Sequence, residues 1–285
     1  MLIDAHAHLD RYGDDLDAAL SEIDSRRILT FAVSMDLPSW DRNREIAARS
    51  PLVVPAFGVH PWNAADHVDR LDDVARAASE APMIGEIGLD HHFVEGDSTY
   101  PAQREVFAFL LSAAAEDDKI VNLHTKGAES DVLDMLNDAG VERAIVHWYS
   151  GPPGPLRGLV ERGAYLTVGP EILHSEDARR IAREIPDDLL LTETDNPGGL
   201  KWLTGTPGMP GAVEGVVAAL ANVRETTPGD IAGTVERNLV RLIDGDRRLL
   251  GALRALGEDP GGDAPGAGIG IRAARPPEPR EGDAR

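Results

Sequence analysis

Histidines and carboxylates recur along this sequence in positions where several of them could share divalent cations. The candidate metal ligands are His6, His8, Glu86, His124, His147 and Asp195. The chain contains no cysteine, so thiolate sites and disulfides are excluded. Any metal must therefore be held by imidazole nitrogens and carboxylate oxygens.

The two histidines of Asp4-Ala5-His6-Ala7-His8 are separated by one residue. In a β-strand, residues two apart project to the same face, so both imidazoles could bind one cation. This short motif alone also fits two histidines that hydrogen-bond to the backbone. The other ligand candidates favour metal binding.

Glu86 follows the apolar residues Pro82-Met83-Ile84 in the segment Gly85-Glu86-Ile87-Gly88. A buried, ionised glutamate without a partner costs several kcal/mol. Two cations bridged by the carboxylate would remove that cost, and an ion pair with an arginine is the alternative. We expect Glu86 to bridge two metals.

Three further candidates end apolar segments that have the character of strands. His124 ends Lys119–Leu123, His147 ends Ala144–Val146, and Asp195 follows Leu189–Thr194. Because the carboxyl ends of parallel barrel strands share one face, these side chains should converge. If the eighth strand closes on the first, Asp195 should meet His6 and His8.

Eight apolar runs alternate with amphipathic segments, which predicts an α/β protein with a single TIM-type (β/α)8 barrel. The predicted strands are Leu2–His6, Ile28–Ser34, Leu52–Gly58, Met83–Gly88, Ile120–His124, Ala144–His147, Ala164–Val168 and Leu189–Thr194. We expect the barrel domain to span residues 1–250. The Gly- and Pro-rich residues 257–285 show no periodicity and predict a disordered tail.

Composition restricts location and partners. Residues 1–285 carry a net charge of -21 and only three lysines, which argues against a broad basic nucleic-acid groove. No apolar run is long enough to span a membrane, and the amino terminus lacks the features of a secretory signal. We expect a cytoplasmic protein without membrane contacts. The acidity fits either adaptation to high salt or an ordinary acidic surface.

The ligand set indicates hydrolysis. A bound metal lowers the pKa of water from 15.7 toward about 7, and two metals can stabilise the attacking and leaving oxygens of a phosphodiester. Glu86 and Asp195 are the predicted catalytic carboxylates, with Asp195 able to accept a proton. His60 and Lys126 are predicted substrate contacts. Trp148 and Tyr149 could stack on a base or simply pack the rim.

Taken together, these segments resemble the TatD family of metal-dependent deoxyribonucleases within the amidohydrolase superfamily. The motifs occur in the family's order: His6-Ala7-His8, Gly58-Val59-His60-Pro61, Gly85–Asp90, His124, His147–Gly151 and Thr194-Asp195-Asn196-Pro197. The resemblance covers about residues 1–243. It implies two divalent metals (Mg, Mn or Zn), one at His6 and His8, the other at His124 and His147, with Glu86 bridging and Asp195 as ligand and proton acceptor.

Three positions depart from the family pattern. Lys126 replaces a common arginine and loses its bidentate fork. Trp62 stands where a second histidine is frequent, and no aromatic residue lies close to Asn238. These departures affect the substrate rather than the ligands.

Two enzyme hypotheses remain from the sequence. The first is a deoxyribonuclease that contacts DNA, or another phosphodiester, over a small footprint. The alternative is a hydrolase of a small ester, amide or ring substrate on the same barrel. A barrel that binds metal without turnover is disfavoured, because stability alone gives no reason to aim so many titratable groups into one mouth. The oligomeric state is left open.

Overall fold

All eight predicted strands are present in the computed structural model, which describes residues 1–94 and 96–257. The strands are β1 (Leu2–Ala7), β2 (Ile28–Val33), β3 (Val53–Ala56), β4 (Ile84–Gly88), β5 (Val121–His124), β6 (Ala144–Val146), β7 (Tyr165–Val168) and β8 (Leu190–Thr192). Every residue of β2, β4 and β7 is buried, as expected for strands covered on both faces.

The strands are parallel and follow one another in chain order. Strands β1–β3 pair in one sheet and β4–β8 in a second, and a parallel bridge between Phe57 and Ile84 connects the two. The circle closes between β8 and β1, where the Thr192 hydroxyl donates to the Ile3 carbonyl at 2.6 Å and the Asp195 amide donates to the His6 carbonyl at 2.9 Å. This closed ring is the predicted TIM-type barrel.

Helices surround the strands. They are α1 (Leu16–Arg26), α2 (Leu37–Ala47), α3 (Leu71–Glu80), α4 (Tyr100–Glu116), α5 (Glu129–Asp138), α6 (Pro153–Glu161), α7 (Glu176–Glu184), α8 (Gly198–Thr204), α9 (Val213–Val223), α10 (Pro228–Ile243) and α11 (Leu250–Gly257). Helix α4 buries Val106, Phe107, Leu110 and Leu111, which recur at helical spacing. None of the helices among the described residues has the length and hydropathy of a membrane span.

Three of the helices were not evident from the sequence. Helices α6 and α8 contain prolines or glycines that weaken their periodic signal, although Pro153 at the first position of α6 is well placed to start a helix. Helix α11 continues past residue 250 and ends at Gly257. Apart from Gly257, the predicted tail lies outside the described residues.

Candidate metal centre and active site

The six predicted ligands lie together at the carboxyl-terminal mouth of the barrel. They lie on β1, β4 and β5, or within three residues after the ends of β1, β6 and β8. Five of them are buried, and Asp195 is partly exposed. The expectation that separate strand ends bring these side chains into one cluster is confirmed.

A neighbouring amide fixes the orientation of His6. Its Nδ1 lies 2.9 Å from Oδ1 of Asn122, whose own Nδ2 donates to the Ala5 carbonyl at 2.8 Å. The Asn122 oxygen is therefore the acceptor, so Nδ1 of His6 carries the proton. When His6 is neutral, as a metal ligand must be, this leaves the lone pair on its buried Nε2, which has no hydrogen-bond partner among the described residues.

That lone pair faces two carboxylates. The Nε2 atom of His6 lies 3.5 Å from Oε2 of Glu86 and 3.8 Å from Oδ1 of Asp195. The Nε2 atom of His8 lies 3.4 Å from the same oxygen of Glu86 and 3.3 Å from Oδ1 of Asp195. As predicted, closure of the barrel brings Asp195 to both histidines.

The other oxygen of Glu86 faces a second group of nitrogens. Oε1 lies 3.0 Å from Nδ1 of His124 and 3.0 Å from Nε2 of His147, and these two nitrogens are 3.2 Å apart. His124 has its other nitrogen 2.9 Å from Oδ2 of Asp90. A proton on that outer nitrogen would direct the inner lone pair toward Glu86.

His60, predicted as a substrate contact, also lies within this cluster. It is buried, and its Nε2 is 3.3 Å from Oε1 of Glu86. In the part of the chain that the structure describes, three groups have ligand atoms close enough together to share an ion: His6, Glu86 and His147; His6, His8 and Asp195; and His60, Glu86 and His124. His60 is thus placed to act as a ligand or to contact a group bound beside the ligands.

The electrostatics follow from burial of several charges together. Burial alone would lower the pKa of His6, but Glu86 and Asp195 outweigh it and raise that pKa to about 10. Burial likewise opposes ionisation of Glu86, yet the surrounding histidines hold the pKa of its carboxyl well below the usual value. For His147, burial and the neighbouring His6 lower the pKa to about 4.

These features fit divalent cations. Carboxylate oxygens and imidazole nitrogens that converge in this way need positive charge between them, which protons on histidines such as His6 supply without metal and divalent cations can supply in their place. Neutral imidazoles and carboxylates are ligands that such ions accept. His6, His8, Asp195 and Oε2 of Glu86 would hold one ion. His124, His147 and Oε1 of Glu86 would hold another.

Sequence reasoning assigned no role to several residues that support the ligands. Asn122 and Asp90 orient His6 and His124, as described above. Glu193 is fully buried, with one oxygen 3.7 Å from Nδ1 of His147 and the other accepting from the Trp148 amide at 2.9 Å. The sequence did contain a signal for Glu193. It lies two residues before Asp195, and residues two apart in an extended segment project to the same face.

A cavity of about 330 Å³ opens above the ligands. Lys126 lines it, as predicted, and donates to the Ser150 hydroxyl at 2.7 Å. Arg11 also lines it and was not predicted. Tyr149 is instead buried and donates to the Pro152 carbonyl, so it packs rather than stacks.

Comparison with known proteins decides the family. Residues 3–244 match the family described as TatD related DNase. This chain belongs to that family. The hydrolase YabD of Bacillus subtilis, named an uncharacterized metal-dependent hydrolase, is 29% identical over 85% of this chain and 98% of its own length. Deoxyribonuclease TATDN3 of Homo sapiens is 25% identical over 69% of this chain and 78% of its own.

Solved structures support the fold of this TatD-family chain. YJJV, a TatD homolog from Escherichia coli, superposes with a TM-score of 0.76 at 24% identity, covering 85% of this chain and 97% of that one. A TatD-family hydrolase from Entamoeba histolytica gives a TM-score of 0.75 at 18% identity, with 85% and 97% covered. The predicted barrel, family and class of metal-dependent hydrolase are confirmed.

Proposed function

We propose that this TatD-family hydrolase is a deoxyribonuclease that uses two divalent cations, Mg, Mn or Zn, to cleave phosphodiester bonds. One observation carries the proposal: the two oxygens of the buried Glu86 face separate groups of histidine nitrogens. A carboxylate placed in this way can bridge two ions. A pair of ions is suited to phosphodiester hydrolysis.

When bound, such cations lower the pKa of water and neutralise the charge that develops on a phosphate. The protein supplies the proton acceptor. Both carboxylates line the cavity, but the side chain of Asp195 is 24% exposed against 2% for Glu86, so Asp195 is the more accessible of the two. Burial opposes its ionisation, but His8 and His6 keep the pKa of Asp195 below the usual value. It is therefore ionised and able to take a proton from the attacking water.

Two cationic side chains can position the phosphate backbone. Lys126 and Arg11 line the cavity, and neither lies within ion-pair distance of a carboxylate among the described residues. Their charges are available to phosphate oxygens. Because the chain carries a net charge of -21, we propose a small footprint on DNA rather than extended contact with the duplex.

The human relative is named deoxyribonuclease TATDN3, and this name supports DNA as the substrate. A small ester, amide or ring substrate is the second candidate. It is favoured by Lys126, whose ammonium lacks the fork that would hold a phosphate through two hydrogen bonds.

The deciding experiment compares both substrate classes. Protein stripped of metal is incubated with end-labelled single- and double-stranded DNA, or with small esters, in the presence of Mg, Mn or Zn. We expect metal-dependent shortening of DNA that Glu86→Gln abolishes. The matched control is Asp246→Asn, a buried acid at the opposite end of the barrel. Turnover of esters with no cleavage of DNA under any metal would reject the deoxyribonuclease.

The proposal also includes the domain that carries out catalysis and the location of the enzyme in the cell. We assign catalysis to the barrel domain, residues 1–250, and place the enzyme in the cytoplasm. Fractionation of cells that produce the full chain, followed by immunodetection, tests the location.

A further inference from the structure

Aromatic side chains stand around the cavity in an unusual concentration. Among the described residues, the tryptophans and phenylalanines that are exposed are Trp62, Phe93 and Trp202, and all three line this cavity. Trp148 lines it as well and is partly buried. Exposed apolar side chains that are grouped together indicate a binding site, whereas single exposed ones are common and need no explanation.

Trp62 and Phe93 form a first aromatic wall. Their ring centroids are 6.1 Å apart in an edge-to-face arrangement. The Trp62 indole donates from Nε1 to Oδ2 of Asp90 at 2.9 Å, and its ring packs edge-on against His60 with centroids 4.6 Å apart. The ring is therefore held in place although 48% of Trp62 is exposed.

Trp148 and Trp202 form a second aromatic wall. Their centroids are 6.2 Å apart with the planes at 80°. The Trp148 indole donates to Oε2 of Glu171 at 2.6 Å. Trp202 lies on α8 and is 65% exposed, so most of its surface is open to a ligand.

The two walls lie on different sides of the metal-ligand cluster. The first wall is carried by the loops that follow β3 and β4, and the second by the loops that follow β6 and β8. In an eight-stranded ring these loops are nearly opposite. The two cationic side chains lie between the walls on opposite sides of the ring, because Arg11 follows β1 and Lys126 follows β5.

We propose that the two walls are base-binding subsites, one on each side of the scissile phosphate. This inference rests on the proposed function and names the unit that the enzyme recognises: two adjoining nucleotides of one DNA strand, with one base against each wall. Aromatic rings bind bases through stacking, which is largely independent of sequence. Arg11 and Lys126 provide the charge that complements the flanking phosphates.

The size of the cavity and its exposed aromatic surface agree with this occupant. A cavity of about 330 Å³ lies at the small end of ligand sites and cannot enclose a duplex. Two unstacked bases would cover the exposed indoles, whereas a small aliphatic ester would leave at least one wall exposed. Base stacking contributes about 1–3 kcal/mol per base, or roughly a 5- to 150-fold change in affinity.

The test uses single-stranded oligonucleotides with an abasic residue on the 5′ side, the 3′ side or both sides of the cleaved bond. We expect each missing base to raise KM about tenfold or more, with a smaller effect on kcat. Trp202→Ala should raise KM for the intact strand and lose sensitivity to one of the two abasic positions. Trp202→Phe, which keeps an aromatic face, should restore most of the affinity.

A second readout does not depend on turnover. In the Glu86→Gln background, titration with the same oligonucleotides should quench tryptophan fluorescence, and abasic strands should bind more weakly. Leu250→Ala is the control, because it removes an exposed apolar side chain away from the cavity.

The outcomes separate the two proposals. Equal cleavage and equal binding of intact and abasic strands would overturn the subsites while leaving the deoxyribonuclease intact. Failure to cleave any DNA would reject the proposed function itself. If Trp202→Ala instead changes only the sedimentation of the protein, the second wall is a self-association surface and the base-binding proposal is wrong.

Discussion

Asp90 joins His124, a candidate metal ligand, to the rim of the cavity: its Oδ2 lies 2.9 Å from Nε2 of His124 and also accepts from the Trp62 indole at 2.9 Å. The same side chain, through Oδ1, accepts backbone amides of His92 and Phe93. One carboxylate thus orients a metal ligand, a rim aromatic and the loop between them. Carboxylates in this position fix the tautomer and raise the basicity of the ligand.

We therefore expect Asp90→Asn to weaken metal binding about 10- to 100-fold, because a neutral amide stabilises the His124 proton less well. Titration of metal-free protein with Mn or Zn, followed by calorimetry, measures the change. Asp246→Asn serves as the control. Unaltered affinity in Asp90→Asn would show that Asp90 does not act through His124.

Metal should also stabilise the fold. Without cations, protonated histidines such as His6 balance the charge of Glu86. Metal replaces those protons at neutral pH and binds only the native state, in which the ligands are assembled. At a free metal concentration near 100 times Kd, the gain is about 2.7 kcal/mol. Thermal unfolding with and without chelator should show a clear rise in Tm with metal. Glu86→Gln should lose most of that rise, and an equal rise in the variant would place the stabilising metal elsewhere.

Gly58 leaves room for the backbone of Glu86. A Cβ at position 58 would overlap the backbone carbonyl oxygen and nitrogen of Glu86. Gly58→Ala must therefore displace β4 and its glutamate, and we expect a loss of about 3 kcal/mol or more together with weaker metal binding.

The matched control for Gly58→Ala is Gly154→Ala, where the added methyl meets no atom within 4 Å. Urea unfolding and metal titration of both variants check the expectation. Normal stability and metal content in Gly58→Ala would contradict the contact.

The ion pairs of Asp246, at the opposite end of the barrel, should make the free energy of unfolding depend on pH. Burial raises its pKa, but hydrogen bonds from Arg248 and Arg143 outweigh burial and hold the pKa below the ordinary 3.8. A depressed folded-state pKa contributes stability above the unfolded value, and that contribution is lost as pH falls through the folded one. Asp246→Asn should cost about 2 kcal/mol at neutral pH.

The difference between wild type and Asp246→Asn should shrink as the pH is lowered below 3.8. Urea unfolding of both proteins from neutral to acidic pH measures it. A difference that stays constant with pH would mean that the charge of Asp246 contributes nothing.

The sequence by itself determined the barrel and the set of candidate ligands. Apolar strands bounded by helices have one efficient way to bury both faces, and that arrangement sends every strand's carboxyl end to one mouth. Because His6, His124 and His147 lie at the ends of β1, β5 and β6, the sequence predicted that they would meet at this mouth. Closure of β8 on β1 similarly predicted the approach of Asp195.

Only the tertiary structure decided how each side chain is used. His60 approaches Glu86 from a neighbouring strand, and Asn122 reaches His6 across the barrel; neither distance follows from spacing along the chain. Trp148 and Asp195 adopt φ values of 40° and 51°, which turn the chain sharply after β6 and β8. Such contacts depend on the curvature of the closed ring and the paths of its loops. These are properties of the whole barrel, so no local pattern of residue types encodes them.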